Sequence, residues 1–133
     1  LQRKVCMDKK FAAAINCMDG RAQGPVVEYV RENFGVDHVD MITEPGPNKI
    51  LSEGKEAATI ESLKKRAAIS VEKHGSRAIA IVAHHDCAGN PVNEDTQKEQ
   101  LLKAVGVIAS WGFPVKKIIA LWLDEDFKPS VVT

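Results

Sequence analysis

Four short apolar runs alternate along this chain with longer stretches whose apolar residues recur at helical spacing, and this alternation leaves few folds open to it. The runs are Phe11 to Ile15, His38 to Thr43, Arg77 to Ala83 and Lys117 to Leu123. Between the first two, Gly24-Pro25 opens a helix that carries Val26, Val27, Val30 and Phe34 and stops at Gly35. A second helix is predicted from about Glu56 to His74, with Ile60, Leu63, Ala67 and Val71 on one face and Gly75 as its stop. A third runs from about Asp95 to Trp111 along Leu101, Leu102, Val105 and Ile108. Glu44-Pro45-Gly46-Pro47-Asn48, through Gly54, reads as a loop, because two prolines flank a glycine. Trp111, Phe113 and Trp122 are expected in the core.

Strands alternating with helices predict a three-layer α/β/α fold, with a mostly parallel sheet of four or five strands. The polar tail from Asp124 to Thr133 supplies the optional edge strand, and residues 1 to 9 form a short polar arm. Residues 1–133 contain no repeat or linker and are read as a single domain. In such a sheet, chemistry gathers where loops leave the carboxyl ends of strands. Two loops stand out, Cys17-Met18-Asp19-Gly20-Arg21 after the first strand and His84-His85-Asp86-Cys87 after the third. A core strand order of 2-1-3-4 makes those strands neighbours and brings the two loops together.

Cys17, His84 and Cys87 then offer two thiolates and an imidazole to one metal ion. Soft sulfur ligands point to zinc, and three protein ligands leave a fourth position for water. His85 points elsewhere, to the surroundings of the ligands or to solvent. Asp19 can either accept a hydrogen bond from metal-bound water or bind the metal itself. Arg21 can hold it in the first role.

Composition narrows the function classes. Lys and Arg number 18 and Asp and Glu 18, so the formal net charge of zero favours neither nucleic acid nor an acidic membrane surface. No apolar run approaches the ~20 residues that span a bilayer, and Leu1 to Val5 lacks the character of a secretory leader. Three cysteines are a sparse and odd set, which predicts a reducing compartment, the cytoplasm, rather than a disulfide framework. Cys6 has no neighbour at ligand spacing and is expected to be a free or packed thiol.

The paired motifs resemble those of the β-class carbonic anhydrases, Cys-x-Asp-x-Arg after the first core strand and His-x-x-Cys after the third. The resemblance implies that Cys17, His84 and Cys87 bind zinc and that Asp19 and Arg21 form the catalytic dyad. The implied reaction is reversible hydration of carbon dioxide to bicarbonate, a lyase reaction proceeding by attack of zinc-bound hydroxide. It implies a homodimer or higher homo-oligomer as well. The chain departs from the family in lacking long N-terminal helices and in having Glu44 to Asn48 where an Arg-Asn-Ala-Gly-Asn-like stretch is usual. Ala88 also displaces by one residue the glycine expected after the second cysteine.

Two other zinc readings stand beside this one: a relative acting on a different small molecule, and a non-catalytic protein whose site Asp19 closes. A thiol redox pair of Cys17 and Cys87 is the remaining alternative, although no Cys-x-x-Cys motif accompanies it.

Overall fold

A computed structural model describes residues 9–133. Cys6 and the lead-in before Lys9 lie outside the described residues. Five strands form one sheet in the order β2-β1-β3-β4-β5: β1 (Phe11–Cys17), β2 (His38–Glu44), β3 (Ala78–His84), β4 (Lys117–Leu123) and β5 (Pro129–Val132). The first four are parallel, and β5 runs antiparallel to β4, as an edge strand drawn from the polar tail. The expected 2-1-3-4 core order therefore holds. Helices α1 (Gln23–Phe34), α2 (Pro47–Glu53), α3 (Ala57–Lys73) and α4 (Glu94–Ser110) cover the sheet.

The period of two along the central strands sorts their side chains between two cores. Ile15, Ile79, Ile81 and Ala13 face α3 and α4, where they meet Leu63, Ala67, Leu101 and Ile108. Each bulky residue removed from water on this side contributes about 1.5–3 kcal/mol before entropy is counted. Ala12, Ala14, Ala80 and Val82 face the other way, toward Val26 and Val30 of α1. Alanine is a poor strand former in isolation. Here Ala12, Ala13 and Ala14 are wholly buried in a strand flanked on both sides, and the small side chains leave room for α1 beneath them. Trp122 is buried in the first core, while Trp111 and Phe113 pack half-buried against it.

One expectation is overturned. Residues 47 to 53 are a helix, α2, and not part of a loop. Pro47 occupies its first turn, where the missing N–H is one that a helix leaves unpaired anyway. Gly46 enters it at φ 63° and Gly54 ends it at φ 69°, so both glycines mark its boundaries. Ile50 and Leu51 are buried by it. The prolines and glycines that look like breakers in the sequence punctuate a short helix.

Candidate metal centre

Cys17 is the last residue of β1 and His84 the last of β3. The two strands pair at Ala13–Ile79, Ala14–Ala80 and Ile15–Ile81, after which the ladder stops. Beyond that point β1 stays in register with β2 and β3 with β4 out to Glu44 and Leu123. The sheet thus opens between its first and third strands, and the candidate residues occupy the opening.

Cys17, His84 and Cys87 are buried there, with their ligand atoms all within 4.8 Å of one another. The two sulfurs are 3.8 Å apart. His84 Nδ1 lies 2.7 Å from the backbone oxygen of His85. A carbonyl can only accept, so Nδ1 carries the proton and Nε2 presents a lone pair. That Nε2 is fully buried and has no hydrogen-bond partner. An unpartnered buried acceptor costs free energy unless something coordinates it. A metal ion fits this vacant lone pair and the two sulfurs together. His85 itself faces solvent, in accord with the sequence.

Electrostatics prepare the sulfurs for a cation. The Cys17 thiol is held far below the ordinary range, first by hydrogen bonding from Cys87, against the cost of burial, and then by His84 and the backbone amides of Gly46 and Asp19. Cys87 moves the opposite way, because a second thiolate beside the first is disfavoured and burial adds to it. The pair therefore shares one proton in the metal-free protein. Burial opposes charging His84, yet the Cys17 sulfur and the His85 carbonyl outweigh it and the net shift is upward.

Asp19 and Arg21 sit at the mouth. Arg21 donates from Nη2 to Asp19 Oδ2 at 2.7 Å and from Nε to Oδ1 at 3.1 Å, while its backbone N–H also reaches Oδ1 at 2.8 Å. These bonds, the guanidinium first, hold the Asp19 carboxyl down at about 2. Asp19 Oδ2 lies 3.9 Å from His84 Nε2, so the carboxylate is beside the ligand set while being tied to Arg21. Arg21 is fixed in turn by Asp86, through its backbone oxygen at 3.2 Å, and by the Phe127 ring, 4.8 Å from its guanidinium carbon. Asp86 and Phe127 are the non-glycine residues with positive φ, both 58°, among those described. Backbone strain on two separate loops converges on one side chain.

Several supporting residues escaped the sequence reading. Asn16 is wholly buried and accepts from the Cys17 N–H while donating to the Ala22 carbonyl. Gln23 donates to the carbonyls of Cys17 and Asp19. Gln97 donates to the carbonyl of His84 at 3.0 Å, and its own Oε1 accepts from Asn48. A signal for Gln97 existed, since it continues the buried stripe Leu101, Ala104 and Ile108 one turn toward the N-terminus. A polar residue on an apolar stripe needs a buried partner. Nothing in sequence spacing marks Phe127.

The fold and site define a parallel α/β domain with a Cys, His, Cys cluster at its switch point that could hold a metal ion, and comparison narrows the class. Residues 7–133 match the family described as "Putative carbonic anhydrase", and the chain belongs to that family. Its fold is similar to the β-carbonic anhydrase isoform I of the protozoan Trichomonas vaginalis, with a TM-score of 0.59 at 15% identity, covering 90% of this chain and 81% of that one. The β-carbonic anhydrase CafA of the fungal pathogen Aspergillus fumigatus aligns with a TM-score of 0.48 at 11% identity, over 98% and 79% of the two chains. No curated protein matches the sequence.

Proposed function

We propose that this chain is a single-domain, zinc-dependent lyase of the carbonic anhydrase type, interconverting carbon dioxide and bicarbonate. Cys17, His84 and Cys87 would hold the zinc, and its Lewis acidity would make water nucleophilic near neutral pH. The observation that carries the reading is the Arg21–Asp19 pair beside the ligand cluster. A structural site has no use for a carboxylate held off the metal, whereas an open one needs an acceptor there.

The geometry supports the following roles for the chain's own residues. Asp19, which Arg21 holds ionised well below the ordinary carboxylate range, would accept a hydrogen bond from the attacking water and so fix which lone pair faces the substrate carbon. Arg21 orients that carboxylate by two parallel bonds. The His85 carbonyl sets the His84 tautomer, and Gln97 braces the backbone on which His84 sits. Buried walls exclude competing water from the ligand atoms.

Membership of the family supports a small-molecule substrate and a homo-oligomer, and the sparse free thiols support a cytoplasmic setting. No described helix is long and apolar enough to cross a membrane. One distance favours a second reading: the 3.9 Å between Asp19 Oδ2 and His84 Nε2 is short enough for a side-chain rotation to make Asp19 a fourth ligand. The protein would then be a non-catalytic zinc binder.

The deciding experiment is stopped-flow carbon dioxide hydration by protein holding about one zinc per chain, with Cys17→Ser as control. Activity above the control is expected. An inactive, zinc-replete protein would favour the closed site.

A further inference from the structure

At the opposite end of the sheet from the metal ligands, the amino ends of β1, β3 and β4 surround a cleft of about 490 Å³. Lys9, Lys10, Arg77, Lys116 and Lys117 line it, together with the rings of Phe11, Phe34 and His74. The whole chain balances 18 basic against 18 acidic side chains. Gathering five cations around one recess is therefore a local polarisation that the average charge conceals.

Among the described residues, two carboxylates near the cleft already have partners. Asp37 accepts the backbone N–H of Lys10 at 2.8 Å, and Asp40 accepts from Ser70 at 2.6 Å and pairs with His74 at 2.7 Å. Among the described residues, no carboxylate lies within 4 Å of the side-chain nitrogens of those five cations.

Basic residues often serve to offset the negative carboxyl ends of helices, and α1 and α3 both end at this face. That duty is already discharged. The Gly35 and Val36 amides bond the Arg31 carbonyl, and the His74 and Ser76 amides bond that of Ser70. Arg77 Nη1 reaches the carbonyls of Val71 and Ser76. The four lysines have no part in this capping. Two of the positively chargeable side chains are also held in place: Lys117 Nζ lies 4.8 Å from the Phe34 ring centre, and His74 is stacked on Phe11 at 4.2 Å.

We propose that this cleft is a second binding site, separate from the metal centre, for a small multiply charged anion of the phosphate class. A concave recess concentrates the field of the cations around it, and an anion of several charges relieves their mutual repulsion where a single chloride could not.

The test is a pyrophosphate titration of the zinc-loaded full chain, followed residue by residue through amide NMR shifts. Saturable shifts at Lys10, Gly75, Arg77 and Lys117 are expected, weakening steeply with salt. The double variant Lys116→Glu/Lys117→Glu should bind about tenfold more weakly or worse while keeping its zinc content. Lys9→Ala/Lys10→Ala, which disturbs no strand interior, should weaken binding in the same direction. Absence of saturable shifts would overturn the proposal, as would shifts confined to the loops of Cys17 and Cys87. Binding by either double variant as tight as that of the unaltered chain would show that these lysines do not form the site and would overturn it as well.

Discussion

Arg21 grips Asp19 by two parallel hydrogen bonds, at 2.7 and 3.1 Å, although the two residues are only two positions apart in the chain. Half of the Arg21 side chain is exposed, and an exposed pair contributes about 0–1 kcal/mol to stability. The grip matters for orientation. Replacing Arg21 by Ala should leave about one zinc per chain while lowering carbon dioxide hydration by about 10–100-fold or more. Loss of zinc along with activity would show that Arg21 supports the ligands themselves.

The same contact sets a pH dependence. Asp19 titrates at about 2 in the folded protein against an ordinary 3.8. Since the folded value is the lower one, its stabilising contribution is complete above 3.8 and is lost as pH falls toward 2. A carboxyl carbon NMR titration should find Asp19 ionised at pH ~3, and Arg21→Ala should return its midpoint toward that of a free carboxyl.

Metal uptake should release protons. In the metal-free protein the Cys17–Cys87 pair retains one proton, held by the raised Cys87 thiol, and both sulfurs must be thiolates to bind zinc. Apparent zinc affinity should therefore rise with pH across the neutral range, by about tenfold per unit for each proton displaced. Chelator competition at several pH values measures the slope. A flat profile would mean that both thiols are already ionised.

Gln97 offers no ligand atom yet bonds the carbonyl of His84 at 3.0 Å. Gln97→Leu leaves that buried carbonyl without the donor, which costs about 1–3 kcal/mol of stability. Zinc affinity should fall by about 10–100-fold, as for other residues that orient a ligand. Thermal unfolding of the metal-free form, set beside zinc competition, separates the two effects.

Gly89 lets the turn after Cys87 press against the turn before α2. A Cβ there would stand 2.8 Å from both the carbonyl carbon and the Cβ of Pro45. Gly89→Ala should destabilise the fold by about 1–3 kcal/mol through forced displacement of those turns. Urea unfolding reads this directly, and an unchanged midpoint would show that the turns can slide apart.

The order of strands and helices was legible in the sequence because it rests on local periodicity, and the strand Lys117–Leu123 has the boundaries expected of it. The candidate metal ligands were legible because Cys and His at or just after strand ends announce themselves by chemistry, and the strand order they require is the one observed. Residues 47 to 53 were not, since a proline read alone cannot say whether it breaks a helix or begins one. What only the tertiary structure decided is how the ligands are supported. The Gln97–His84 bond, the Phe127 ring over Arg21 and the cleft between Lys10 and Lys117 each join residues from separate elements. Local patterns reflect the period of a helix or strand, whereas contacts of this kind exist only after the sheet has assembled and set distant segments side by side.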